Sequence, residues 1–330
     1  TPKPSSAASD VYKRQSPNTF VATTNAAVYC GAMPRFVDID PRTYNLDTGD
    51  LAAYLAQKPC TGQPKVVVPV HFAGQPCEME SIREASSETG MAVVEDACHA
   101  LGATWQDVTG AWQRVGNCSH SDMTVFSFHP VKHITTGLGG AILTNDEDHY
   151  HHLKELCAHG ITKDPQRLDT AEPWYYEMRH LGYNYRMTDF QCALGLSQLK
   201  KSDGWVRRRR QIAEQYDHAL ESIDELILPY QMPNTNSSFH LYVIQIRDCG
   251  PARHRAIFEC LRGEGIGVQV HYIPVHLQPY YSEQFGCLPG DFPKAEGYYS
   301  RCLSLPIFPS MLDLDVDRVV QAVSRVVTSL

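Results

Sequence analysis

No stretch of this sequence approaches the ~20 consecutive apolar residues that a membrane-spanning helix requires. No basic segment followed by an apolar run and a small-residue cleavage site is visible either, so neither a span nor a secretory leader is expected. An excess of positive charge is also missing. Lys plus Arg total 29 against 37 Asp plus Glu, a formal charge of -8, which argues against a general nucleic-acid binder. The eleven cysteines contain no CxxC. Their odd number and irregular spacing from Cys30 to Cys302 fit neither a disulfide framework nor a zinc ribbon, and they read as reduced thiols of a cytoplasmic protein. No internal repeat is present. His149 and His152 in "HYHHL" stand at i, i+3 spacing, but no acidic or cysteine ligand lies at a recognisable spacing from them, and a surface helix explains the same residues, so no metal is expected.

What is present points to a folded enzyme-sized chain. With 330 residues, 43% of them hydrophobic, two lobes can each bury a core. Residues 1–15, "TPKPSSAASDVYKRQ", are small, polar and Pro/Ser-rich, and read as a disordered or non-native leader. From Ser16 to about Asn145, apolar β-branched runs alternate with helical stretches: "KVVVPV", helical "CEMESIREASSETG", "MAVVED", then "DMTVFSF" and "GGAILTN". That alternation predicts an α/β fold with a mostly parallel sheet covered on both faces. Ligands in such sheets sit beyond the carboxyl ends of the strands, where Asp96 and Ser127 fall. A loop-rich piece after His151 leads through Thr188 into one long helical pattern reaching about Ile223. The strand "FHLYVIQI", a helix near Ala252 to Gly263, the strand "GIGVQVHYI" and a closing helix from about Leu314 then predict a small α/β layer.

Lys132, in "FSFHPVKHITTGLGGA", is the lysine that stands out. A mid-chain lysine is ordinarily a solvated surface residue. Here small and hydroxylic residues and glycines surround it between two strands, and burial at a sheet rim would depress its pKa and make it nucleophilic. Asp96 ends an apolar strand, where it is either a turn or cap residue or a carboxylate holding a cationic partner such as a pyridinium nitrogen. His99 could bond a phenolic oxygen or be a satisfied structural histidine. Ser127 could offer its hydroxyl to a phosphate. Alone each signal is weak; together they place a ring anchor, a phosphate anchor and a nucleophilic amine around one pocket.

The segments "VVEDACHALGA", "FSFHPVKHITTGLGGAILTND", "LGYNYRMTDFQCALGLSQLKK" and "GVQVHYIPVHLQPYY" resemble, in order, the motifs of the DegT/DnrJ/EryC1/StrS sugar aminotransferases. The resemblance runs from about Ser16 to the C-terminus and implies a fold type I enzyme dependent on pyridoxal 5'-phosphate (PLP). It implies that Lys132 forms the Schiff base with PLP, that Asp96 partners the pyridine nitrogen, and that His99 faces the phenolic oxygen. Ser127 would bind the phosphate and Phe20, in "SPNTFVATTNAAVYCGA", would stack on the ring. Asn184, in "GYNYR", would reach the phosphate of a neighbouring subunit, which implies a homodimer with shared active sites. His271, Tyr272 and His276 would help enclose a nucleotide-sugar substrate. The loops most resemble those of members that aminate C4 of a UDP-linked 4-keto-6-deoxy-N-acetylhexosamine with L-glutamate, in pseudaminic acid biosynthesis.

The resemblance divides the chain into a leader (1–15), a large PLP-binding domain (16–185), a long connecting helix (186–225) and a small C-terminal domain (226–330). Family members carry, before the segment matching Ser16, a further stretch whose turn and helix cup the cofactor phosphate, and nothing in residues 1–15 matches it. The competing readings are a transaminase for a dTDP- or GDP-linked keto sugar and a truncated, non-catalytic dimerising protein. "WVRRRR", Trp205 to Arg210, reads as a solvated helix face or a dimer-rim patch, because four consecutive residues point in four directions.

Overall fold

The computed structural model describes residues 11–56, 63–170 and 172–330. The chain enters on strand β1 (Val11–Gln15) and continues through helix α1 (Val21–Tyr29), β2 (Met33–Phe36), α2 (Thr48–Ala56), β3 (Gln63–Val68), α3 (Met79–Ser87) and β4 (Ala92–Asp96). Two short strands, β5 (Thr104–Gln106) and β6 (Trp112–Arg114), precede β7 (Met123–Ser127) and β8 (Gly140–Leu143). The large sheet has the order β2-β1-β3-β4-β7-β8. All its pairings are parallel except β7 with β8. That is the expected α/β architecture, and the continuous Val runs of β3 and β4 are what a sheet covered on both faces requires. Helices α2 and α3 cover one face, burying Leu51, Leu55, Met79 and Ile82 against Val67 and Val93.

The expected leader needs correcting at its end. Residues 11–15 form β1, hydrogen-bonded between β2 and β3, because their alternating side chains meet the covered faces of the sheet; residues 1–10 lie outside the described residues.

Beyond the sheet come α4 (Glu147–Leu156), β9 (Ile161–Thr162), β10 (Glu177–Met178), α5 (Asp189–Leu199) and α6 (Ser202–Leu220). The long connecting helix is thus two helices. The Lys201 amide donates to the Gln198 carbonyl at 2.8 Å and the Ser202 hydroxyl to the Leu199 carbonyl at 2.8 Å, which ends α5 before α6 begins. Thr188 starts α5 with a reciprocal capping box to Gln191, satisfying otherwise orphaned end groups. Helix α6 buries Val206, Ile212, Ala213, Tyr216 and Leu220, an amphipathic spacing that docks it on the second lobe.

That lobe contains β11 (Leu226–Ile227), β12 (Thr235–Asn236), β13 (Tyr242–Ile246), α7 (Pro251–Gly263), α8 (Pro279–Phe285), α9 (Pro293–Tyr299), β14 (Cys302–Leu305) and α10 (Asp313–Ser329). Its sheet is β11-β13-β14, all antiparallel. The strand expected over 265–273 is an extended segment tied to the sheet by one bridge, Gln269 to Ser304. Its Ile266 and Val268 are drawn into the lobe core, and "CLSL" takes the partner position beside β13 instead. Strand β12 leaves the lobe and pairs with β5. A third cluster, with Ile39, Tyr44 and Phe72 against Val243, Tyr298 and Cys302, joins the two lobes. Among the described residues, every cysteine is unpaired and no helix is long and apolar enough to cross a membrane.

Candidate active site

Parallel pairing brings the ends of β4 and β7 side by side, with Asp96 opposite Val125. Successive strand residues face opposite sides, so Glu95 and Asp96 do different work. Glu95 turns into the interior, where its Oε2 is 2.7 Å from His71 Nε2 and its Oε1 accepts from the hydroxyls of Ser121 and Thr124. His71 Nδ1 accepts the Cys77 amide at 2.9 Å, so the ring is the neutral tautomer that donates from Nε2. Asp96 turns to the strand-end cleft. Thr23 on α1 donates to its Oδ2 at 2.6 Å, and the Cys98 amide donates to its Oδ1 at 3.1 Å. Both oxygens are thereby held in one orientation.

After Ser127 the chain makes a turn in which the Lys132 amide donates to the His129 carbonyl at 2.9 Å. It returns through Gly137 and Gly139, both at positive φ, to enter β8. A Cβ on Gly140 would lie 2.6 Å from the Phe126 carbonyl oxygen, so only glycine lets β8 close on β7. This hairpin sets Lys132 at the cleft, half-buried. Burial lowers its pKa, opposed by the charges of Cys98 and Asp96. Its Nζ donates no hydrogen bond among the described residues.

Four histidines surround the amine. Burial, with the Lys132 charge second, holds His99 well below the usual imidazole range. Burial, then the charge of Lys132, brings His271 down to about 4; burial and Arg209 bring His133 down to about 3; burial, then His99, holds His240 well below the usual imidazole range. All four rings are neutral near pH 7. The Tyr272 hydroxyl sits 3.2 Å from His99 Nε2, and the two rings stack with centroids 6.1 Å apart. The His99 and His240 rings are 4.4 Å apart. Phe20, 59% exposed, lies 6.4 Å from the Tyr272 ring. His271 Nδ1 is 2.8 Å from the Ser304 hydroxyl.

The structure therefore gathers Lys132, Asp96, His99, His271, Tyr272 and Phe20, with Ser127 at the adjoining strand end. Two expected residues stand apart. His276 is fully buried, with Nε2 2.9 Å from Glu296 and its ring against Phe292; its contacts are those of a core histidine bridging to α9. Asn184 is exposed and joins Ala158 through a bridge, away from the other candidates. Thr23, Cys98, His133, His240 and Ser304 were not singled out from sequence, since nothing in "TTN" or "SSFHL" marks a residue that reaches the cleft only through folding.

"WVRRRR" needs the larger correction. Arg209 is buried and its Nη1 donates to the carbonyls of Phe239, His240 and Ile307 at 3.0, 3.2 and 2.7 Å. Arg210 donates to the carbonyls of Ser237, Gly102 and Asn236, and Arg208 to Met311 and Asp313. Only Arg207 is an exposed member of the run. Chain ends around β12 and β13 leave carbonyls that only a long forked donor satisfies.

The donor set fits PLP. A partly buried amine stands beside a carboxylate clamped at both oxygens, and His99 Nδ1 is buried without a hydrogen-bond partner among the described residues. The Ser127 hydroxyl, which accepts the His129 amide at 3.3 Å, keeps its own proton to donate.

The profile of the DegT/DnrJ/EryC1/StrS aminotransferase family matches residues 15–324. The spore coat polysaccharide biosynthesis protein SpsC of Bacillus subtilis is 41% identical over 315 residues, 94% of this chain and 78% of its own length. Among solved structures, the putative sugar aminotransferase Spr1654 from Streptococcus pneumoniae in its PMP form superposes with a TM-score of 0.87 at 26% identity, covering 97% of this chain and 82% of that one. Helicobacter pylori PseC, an aminotransferase involved in the biosynthesis of pseudoaminic acid, superposes with a TM-score of 0.86 at 29% identity, covering 97% and 80%.

Proposed function

Because the chain belongs to the DegT/DnrJ/EryC1/StrS aminotransferase family, a group of PLP-dependent sugar aminotransferases, we propose that it aminates C4 of a UDP-linked 4-keto-6-deoxy-N-acetylhexosamine, with L-glutamate as donor. The observation that carries the transaminase chemistry is the convergence of the Lys132 amine, the clamped Asp96 carboxylate and the His99–Tyr272 pair at the ends of β4 and β7. The choice of sugar is supported by the likeness to PseC.

When bound, PLP supplies an electron sink that makes the donor's α-proton removable and carries the nitrogen to the acceptor. The chain's own residues do the rest. Lys132 would hold the cofactor covalently and, once displaced by donor, its Nζ would take the proton from the donor's α-carbon; burial favours the basic form of that amine. The same Nζ later delivers a proton to C4 of the acceptor. Asp96 would keep the pyridine nitrogen protonated, and Thr23 and the Cys98 amide keep that carboxylate aimed. His99 would donate to the phenolic oxygen, with Tyr272 fixing its ring. Ser127 would donate to the phosphate, and Asn184 of a second copy would complete that end. A second copy is supported by α5, which buries no residue of its own while exposing Phe190, Leu194, Leu196 and Leu199 beside Tyr183 and Tyr185. His271 and Tyr272 would border the sugar nucleotide.

The stronger identity to a spore coat polysaccharide protein favours a second reading, a different nucleotide-linked keto sugar of the dTDP or GDP series. The purified chain mixed with PLP should develop a visible absorbance band that L-glutamate bleaches and a UDP-linked 4-keto sugar restores. Restoration by a dTDP- or GDP-linked 4-keto sugar instead selects the second reading, and failure to develop the band rejects catalysis by this chain.

A further inference from the structure

Outside the active site, the C-terminal end of α4 meets a second set of chemically competent side chains. His152 and Glu155 lie at i, i+3 on α4, and His180 enters from the segment after β10. One ligand atom from each lies within 4.8 Å of the others. Glu155 is only 4% exposed, yet neither carboxylate oxygen has a hydrogen-bond partner among the described residues. Its nearest charged neighbours are His180 Nε2 at 3.4 Å from Oε2 and the Arg167 guanidinium at 3.5 Å from Oε1. A buried carboxylate left without hydrogen bonds is costly. The His152 and His180 rings stand nearly perpendicular with centroids 4.4 Å apart.

Main chain, not side-chain reach, sets this arrangement. The Tyr183 amide donates to Leu156 at 2.6 Å, His159 to Tyr183 at 2.8 Å and Arg179 to Gly160 at 2.8 Å, while β10 pairs with β9. A Cβ on Gly160 would fall 1.7 Å from the His180 carbonyl oxygen, and one on Gly182 would fall 2.0 Å from the Gly160 nitrogen. The two backbones touch because both residues are glycine, and His180 is thereby pressed against the end of α4.

We propose that His152, Glu155 and His180 form a binding site for a first-row divalent cation of the zinc class, with water completing its coordination. Two imidazoles and one carboxylate suit such ions better than Mg²⁺ or Ca²⁺, which prefer all-oxygen sets. Tetrahedral zinc with bonds of about 2.0–2.1 Å spaces its ligands ~3.3 Å apart. The His180–Glu155 edge, at 3.4 Å, already has that length. His152 is exposed and reaches the third corner by a side-chain rotation, and the partly exposed Arg167 swings from Glu155 toward solvent as the cation takes over its charge. The ion would staple α4 to the segment leading into Asn184. His149, which shares the helix, points instead to Asp146 at 3.7 Å.

The test is Co²⁺ titration of the full chain after chelator treatment, followed by visible spectroscopy. One equivalent should bind with ligand-field bands and without a thiolate-to-cobalt charge-transfer band, and Zn²⁺ should displace it. His152→Ala and His180→Ala should each weaken binding at least about tenfold, as loss of a metal-orienting group already does, while melting as the parent does in chelator. Absence of stoichiometric uptake, a thiolate charge-transfer band, or unchanged affinity in both variants overturns the site.

Discussion

Arg209→Met should destabilise the chain by ~3 kcal/mol, and the number follows from what its guanidinium touches. It is buried inside α6 and supplies the donor for three carbonyls, Phe239, His240 and Ile307, at 2.7–3.2 Å. A hydrogen bond from a charged donor contributes about 1.5–3 kcal/mol, and a carbonyl left buried without one loses that and cannot regain water. Against this stands the desolvation of the guanidinium, whose pKa burial draws down to about 10, and removing the charge returns part of that cost. Methionine fills most of the volume, so packing contributes little to the difference. The remainder is ~3 kcal/mol, a sizeable share of a typical 5–15 kcal/mol stability. Urea unfolding followed by far-UV circular dichroism gives the change as the midpoint shift times the common slope. Arg207→Met, on the exposed neighbour, is the control and should stay within ~0.5 kcal/mol of the parent. If the two variants shift alike, Arg209 is a surface residue in solution and the reasoning fails.

Lys132→Ala should abolish the visible PLP band and lower transamination by at least about a thousandfold, as expected when the covalent anchor and proton carrier are lost together; a variant retaining the band and most activity would reassign the lysine. Acid should destabilise the chain as pH falls below ~6.5, the unfolded imidazole pKa. The unfolded chain then binds protons that His271 and His133 refuse until about pH 4 and about pH 3, so the unfolded state gains roughly 1.4 kcal/mol per pH unit per histidine. Glu95, held low by its bonds to His71, Ser121 and Thr124 despite burial, adds a loss of the same sign lower still, through the carboxylate range. Urea midpoints that are flat or rising from pH 7.5 to pH 5 would contradict the histidine contribution. Phe190→Asp, placing a charge on an α5 residue that is 90% exposed in the single chain, should weaken self-association at least about a hundredfold, because an apolar contact of about 1.5–3 kcal/mol becomes a buried charge; unchanged mass in light scattering would exclude α5 from the interface.

Where the sequence was legible, one local rule decided the outcome. Valine runs between amphipathic helices required a covered parallel sheet, and a strand-end Asp followed by a glycine-bounded Lys marked two residues that the structure brings together at the strand-end rim. Thr188, where the helical pattern was expected to begin, starts α5, and the structure adds the capping box to Gln191. Where it was misleading, one local pattern had two tertiary outcomes. Four consecutive arginines look like a solvated face until the carbonyls around β12 and β13 claim Arg209 and Arg210, and Met311 with Asp313 claims Arg208. "GVQV" has the alternation of a strand, yet "CLSL" occupies the neighbouring position in the sheet. His276 sits in the same short loop as Tyr272, and the fold turns one ring to His99 and the other to Glu296.

The chain's own residues determined which groups meet at the strand ends, because an amine, a carboxylate and a hydroxyl there are fixed by strand length and turn composition. Only the tertiary structure decided which side chains surround that amine and how they are charged, since burial and neighbours from the distant lobe set both. It also decided that Glu155, a helix residue like many others, meets His152 and His180 in one place. Close contact between Gly160 and the segment before Tyr183 makes that meeting, and contact between remote backbones is a property of the folded chain rather than of any short stretch within it.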